Sequence, residues 1–117
     1  MKKIFLAEDD QTMVALLQTL LKLEGYEVVT LNVANEGLLS ILRKDIPQIL
    51  MLDVKLPQEN GMDIVREMRQ DEKFNETKVI MSSGMSLEKE CIESGADAFL
   101  LKPYMPDDLI RKLRNYS

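Results

Sequence analysis

Four short apolar runs in this chain end on residues that can do chemistry. Ile4 to Ala7 leads into Glu8 and Asp9, Ile49 to Leu52 into Asp53, Val79 to Met81 through Ser82 into Ser83, and Ala98 to Leu101 into Lys102. Three carboxylates, a hydroxyl and an ammonium make a coherent set. Hard oxygen ligands, several of them carboxylates, suit Mg²⁺, which keeps some waters and bridges to phosphate oxygens. A carboxylate beside such a metal can attack a phosphoryl group and form an acyl phosphate, with aspartate as nucleophile. The transferring group shares negative charge over three oxygens. Metal, lysine and hydroxyl can each meet one of them. Taken singly, each residue has a plainer reading. Asp53 suits a turn or a helix cap, Glu8 and Asp9 a helix N-terminus, Ser83 a turn, and Lys102 a solvated charge.

What decides between these readings is the set of elements that carries the residues. Ile49–Asp53 is four apolar residues followed by one acid. A short unbroken apolar run before a turn predicts a strand buried on both faces, as in parallel sheets. Pro57 and Gly61 stop it. Around it the chain alternates. Strand Ile4–Ala7 is followed by a helix over Gln11–Glu24, with Met13, Leu16, Leu17, Leu20 and Leu21 at helical spacing. Gly25 ends that helix as a left-handed cap. Strand Tyr26–Leu31 precedes a helix over Ala34–Lys44 with Leu38, Leu39, Ile41 and Leu42 inward. A helix over Gly61–Gln70 buries Met62, Ile64, Val65 and Met68. The polar segment 71–77 reads as a solvated loop. Strand Lys78–Ser82 leads to a short helix with Ser86 as its N-cap and Gly95 as its end. Strand Ala98–Leu101 is broken by Lys102-Pro103. Pro106 then opens a last helix with Asp107 and Asp108 in its positive first turn.

Strict alternation predicts a parallel sheet with helices on both faces, because parallel strands need right-handed crossovers. Ligands of such sheets bind beyond the carboxyl ends of the strands. Glu8, Asp9, Asp53, Ser83 and Lys102 all fall on that rim, from four different strands. Three acids there carry a cost. At ~4 Å and an effective dielectric of ~20, each like-charge pair costs up to about 4 kcal/mol. A resident cation offsets it, so Asn at Asp9 or Asp53 is expected to stabilise the metal-free domain.

Composition fits one soluble domain. The chain has 117 residues, 45% hydrophobic and 30% charged, enough for a core in a single unit over 1–117. The formal net charge of −5 and the lack of a basic stripe argue against direct nucleic-acid binding. The single cysteine, Cys91, cannot close an internal disulfide, reads as a core residue and suits a reducing compartment. No apolar run approaches the ~20 residues of a membrane span. The opening Met1-Lys2-Lys3 and its short apolar run meet acid at Glu8 and read as a strand, not a leader. With no histidine, histidine-based catalysis is excluded. No Gly-rich phosphate loop follows the first strand.

These pieces together resemble the receiver domain of two-component response regulators, the family of the bacterial chemotaxis regulator. The matching residues are Glu8-Asp9, Leu52-Asp53 with Pro57 and Gly61 behind, Ser83-Gly84, and Leu101-Lys102-Pro103. The resemblance spans essentially the whole chain. It implies a flavodoxin-like fold of five β–α units with strand order 2-1-3-4-5. It implies that Asp53 is the phosphoacceptor, taking its phosphoryl group with Mg²⁺ from a histidine kinase or phosphotransfer protein. Asp9 is then a direct metal ligand, Glu8 acts largely through metal-bound water, and the backbone carbonyl of Lys55 completes the protein ligands. Ser83 is the switch hydroxyl, Lys102 pairs with the phosphoryl group ahead of a cis bond to Pro103, and Phe99 is the switch aromatic that turns inward on activation. Such a protein is a cytoplasmic switch that catalyses only its own phosphorylation and dephosphorylation.

The chain departs from the family pattern in three places. The acidic pair is Glu-Asp where many members have Asp-Asp. The interval from Ser83 to Gly95 is about one helical turn short, so the fourth helix is expected to be short or displaced. The last helix has little room before Ser117, as in a compact stand-alone regulator or a piece of a longer protein. Two other classes compete: a divergent receiver that binds partners without phosphorylation, and an aspartyl-nucleophile phosphohydrolase. The haloacid-dehalogenase-like version of the latter wants a second acid two residues past the nucleophile, where Lys55 stands.

Overall fold

The computed structural model describes residues 2–34 and 37–116. Five strands and five helices alternate: β1 (Lys3–Ala7), α1 (Gln11–Leu23), β2 (Glu27–Thr30), α2 (Leu38–Lys44), β3 (Ile49–Asp53), α3 (Gly61–Met68), β4 (Lys78–Ser83), α4 (Glu88–Ser94), β5 (Ala98–Leu101) and α5 (Pro106–Arg114). The strands form one parallel sheet in the order β2-β1-β3-β4-β5. The doubly wound fold and its strand order are thus as expected. All five residues of β3 are buried, and they alternate between two apolar layers. Leu50 and Leu52 join the layer under α2, α3 and α4 with Val65, Met68 and Cys91. Ile49 and Met51 join the layer under α1 and α5 with Leu17, Leu21 and Leu109. This two-faced burial is why the strand is an unbroken apolar run rather than an alternating one.

Local signals explain most boundaries. Asp10 caps α1, accepting from the Thr12 and Met13 amides at 3.0 and 3.2 Å. Gly25, at φ 91°, reverses the chain after α1. At the end of β3, Asn60 caps α3 by accepting from the Met62 amide at 2.8 Å. The first turn of α5 carries Asp107 and Asp108 and its last turn Arg111, Lys112 and Arg114, in keeping with the helix dipole.

Several expectations need correction. Helix α2 starts at Leu38, not Ala34. The Asn32 side chain holds the Ala34 amide at 3.0 Å in a local turn, and Gly37 takes φ 90° just before the helix. Asn35 and Glu36, within the expected helix, lie outside the described residues. Leu16 and Ile41, expected inward, are 55% and 41% exposed. Each neighbours a buried leucine (Leu17, Leu42) but lies on the outer edge of its helix's apolar stripe. The segment 71–77 is not a solvated loop throughout. It forms a 3-10 turn over Glu72–Phe74, and Phe74 and Thr77 are buried. Ser86 does not cap α4. The Met85 amide donates to Ser83 Oγ and the Leu87 amide to Met85 O, at 3.0 and 2.8 Å. These bonds carry the chain past Ser86, and the helix begins at Glu88 with no side-chain cap. With seven residues, α4 is short, as expected.

Arg69, just past α3, fastens this half of the molecule. Its guanidinium donates to the carbonyls of Gly95, Phe74 and Thr77 at 2.9, 2.9 and 3.0 Å and to Asp97 Oδ2 at 3.1 Å. The same Asp97 oxygen accepts the Val79 amide at 2.8 Å.

Candidate functional site

The sheet's register brings the candidate residues to one rim. Ala7 pairs with Leu52, so the residues after them, Glu8 and Asp53, emerge side by side. Asp53 pairs with Ser82 and Ser83 with Leu101. The Lys102 amide donates to Ser83 O at 2.8 Å, which extends the β4–β5 ladder to the lysine. The rim therefore follows from strand lengths that agree across the sheet.

Carboxylate oxygens of Glu8, Asp9 and Asp53 all lie within 4.8 Å of one another. Glu8 and Asp53 are buried, while Asp9 is exposed. Asp10, the next acid, is engaged as a helix cap, which separates its role from those of its neighbours. Lys102 reaches between the two buried acids. Its Nζ donates to Glu8 Oε1 at 2.5 Å and to Asp53 Oδ2 at 3.1 Å. Burial works against the lysine's charge, but the Glu8 hydrogen bond and the charges of Asp53 and Glu8 outweigh it and raise its pKa above 10.5. The repulsion expected among three acids is thus already compensated for two of them by the protein's own cation. Among the described residues Asp9 has no such partner: only its amide is engaged, donating to Glu8 Oε2 at 3.0 Å.

Ser83 is buried. Its oxygen accepts the Met85 amide, which leaves its O–H to donate elsewhere. The Lys102–Pro103 peptide is cis. A cleft of about 600 Å³ is lined by Asp9, Asp53, Lys55, Ser83, Met85 and Lys102 among others. The loop carrying Lys55 is braced: Lys55 pairs with Asn60 in an antiparallel bridge and the Gly61 amide donates to Val54 O at 2.7 Å. A Cβ at Gly61 would collide with the Asp53 carbonyl, so α3 starts directly against the acid's backbone. Phe99 is only 7% exposed. It belongs to the α2–α3–α4 layer with Cys91 and Met81. Tyr104 also packs near the rim; burial pushes its hydroxyl pKa up to about 12.

The donor set fits a hard divalent cation. Three carboxylates offer oxygens at mutual distances that one ion can span, and the exposed Asp9 leaves room for retained waters. Sequence reasoning missed Arg69. An arginine at a helix end gives no signal until the fold places four acceptors around it.

A family model for the response regulator receiver domain matches residues 4–114, and the chain belongs to that family. It is 36% identical to the transcriptional regulatory protein CpxR of Escherichia coli over 97% of this chain and 48% of that protein. The chain thus spans about half the length of the curated relatives it matches. Among solved structures, a response regulator of Chloroflexus aurantiacus superposes with a TM-score of 0.88 at 28% identity, covering 98% of this chain and 96% of that one. The response regulator TrrA of Thermotoga maritima, solved in complex with Mg²⁺ and BeF, gives 0.85 at 26% identity over 100% of both chains. Among the described residues, no helix is long and apolar enough to cross a membrane.

Proposed function

We propose that residues 1–117 act as one receiver unit whose Asp53 accepts a phosphoryl group from a histidine kinase or phosphotransfer protein. The observation that carries this reading is the meeting of Lys102 with Asp53 and Glu8 at the end of the central buried strand. A carboxylate there is fixed by backbone pairing on both sides, faces an open cleft and has an ammonium beside it.

Glu8, Asp9, Asp53 and the Lys55 carbonyl would hold Mg²⁺. Bound there, the ion supplies positive charge to phosphoryl oxygens. Asp53 attacks phosphorus, forming a carboxyl O–P bond. The donor's bond to phosphorus breaks, and its electron pair leaves with the donor. Lys102 then exchanges a carboxylate partner for a phosphoryl oxygen. The Ser83 hydroxyl, whose oxygen is already tethered by the Met85 amide, donates to another. Moving Ser83 draws on the loop ahead of α4 and biases the face made by α4, β5 and α5 toward its partner. On that face Met105 is exposed, and Met and aromatic side chains such as Met105 and Tyr104 favour interfaces. The setting is a reducing, cytoplasmic one.

Incubating the domain with Mg²⁺ and acetyl phosphate, then mapping the adduct by mass spectrometry, tests the assignment. One phosphoryl group on Asp53 is expected. An adduct undiminished in Asp53→Asn refutes it.

A further inference from the structure

Helix α4 has two unlike ends. At its exit Cys91 is fully buried, and the Ser94 hydroxyl, also buried, donates to Cys91 O at 2.6 Å. Just past the helix, the Gly95 carbonyl is held by Arg69 Nε at 2.9 Å. Arg69 packs against Gly95 so closely that a Cβ there would strike its side chain, and Gly95 stands at φ 120°. The other donors of the guanidinium reach the 3-10 turn, the residue before β4 and the residue before β5. A planar fork satisfied on several sides has little freedom left. The exit of α4 is therefore bolted to α3, β4 and β5 together.

The entry of α4 is the opposite. No side chain caps it. Gly84, Met85 and Ser86 are exposed, Leu87 is half-buried, and Glu88 to Glu90 face solvent. Only three residues, 84–86, separate Ser83 from Leu87. Whatever moves Ser83 pulls directly on the loose end.

We propose that Arg69 makes Gly95 a fixed pivot, about which α4 swings as a lever when the end of β4 moves. This rests on the reading of Asp53 as phosphoacceptor, and it deepens that reading by stating where the signal goes and where it stops. A rigid element transmits displacement only relative to something held still. The anchor and the pull lie at opposite ends of one helix about 10 Å long. Displacement is greatest over Met85–Lys89 and dies away toward Gly95. A partner then reads the front of α4, while its back and the 3-10 turn stay constant.

Backbone NMR shifts of the Mg²⁺-loaded protein, with and without beryllofluoride as a phosphoryl mimic, test this in the wild type and in Arg69→Gln. In the wild type, changes several times larger at Met85–Lys89 than at Gly95–Asp97 are expected. In Arg69→Gln the mimic still binds at Asp53, but the changes spread to Gly95–Asp97 at comparable size. A destabilised variant alone would not alter where along α4 the response falls. Equal changes at both ends of α4 in the wild type overturn the pivot, and that measurement stands even if the variant does not fold. A wild-type gradient retained in Arg69→Gln removes Arg69 from the role. No response anywhere in the wild type, Asp53 included, refutes the phosphoacceptor reading and the lever with it.

Discussion

Lys102 bonds two buried carboxylates at once, so replacing it with methionine has a calculable effect. Methionine keeps an unbranched stem but leaves Glu8 and Asp53 facing each other, with oxygens within 4.8 Å. At an effective dielectric of ~20, two unit charges at that spacing repel by up to about 3–4 kcal/mol. Removing one partner of a buried ion pair costs ~3–5 kcal/mol by general experience. These describe the same loss and are not summed. Because the Lys102 side chain is 22% exposed, water screens part of the repulsion, and a loss of about 3 kcal/mol of stability is expected without metal. In a domain of this size that lowers the melting temperature by ~10 °C. A divalent cation relieves the same repulsion. If half or more of the loss is recovered on binding, Mg²⁺ affinity rises roughly tenfold or more in Lys102→Met. Urea or thermal melts at increasing Mg²⁺ read both effects: the gap to wild type opens without metal and narrows with it. If Lys102→Met melts with the wild type in chelator, or if Mg²⁺ leaves the gap unchanged, the lysine does not compensate these acids and the electrostatic account fails.

Asp9→Asn should stabilise the metal-free domain by only ~1–2 kcal/mol, because Asp9 is exposed and screened, and should abolish most of the stabilisation by millimolar Mg²⁺. Asp53→Asn should give no comparable gain, since it also forfeits the charge pairing with Lys102; thermal melts of the two variants separate these effects. Met85→Glu with Lys55→Asn should speed loss of the phosphoryl group, because neither native side chain can accept a proton from attacking water on the cleft wall; phosphate release after donor removal measures it, and an unchanged rate excludes these positions. Tyr104 has a folded pKa above its unfolded one, so its stabilisation is complete below pH 10 and is lost as pH rises toward about 12. Tyr104→Phe should flatten the fall in stability over that interval in alkaline denaturation, and an unchanged slope would show that the hydroxyl is not the cause.

The strands and the rim were legible because one physical constraint wrote them. A strand covered on both faces must be apolar until it ends, so its first polar residue marks the rim, as at Glu8, Asp53 and Lys102; β4 turns polar one residue before Ser83, at Ser82. The Gly25 cap is local and leaves a local trace, whereas sequence reasoning missed the caps at Asp10 and Asn60. Harder to read were features that depend on neighbours distant in sequence. Phe74 is a lone aromatic in a polar stretch, and only the packed layer beneath shows that it is inward. The choice between Leu16 and Leu17, or Ile41 and Leu42, turns on where a wide apolar stripe meets the sheet. Sequence placed Lys102 on the rim, but its division between Glu8 and Asp53 comes from side-chain reach. The same holds for Arg69, whose four acceptors come from two stretches, 74–77 and 95–97.

Strand β3 is bonded along both edges and covered on both faces. Its amides can exchange only when the whole fold opens, whereas the exposed residues 84–86 can open on their own. The proposed mark and its reader therefore keep different clocks. A phosphoryl group on Asp53 would be tied to the slowest frame in the molecule, its lifetime set by chemistry. The segment that senses it would sample its positions many times while the mark persists. Memory and response are thereby separated within one small domain.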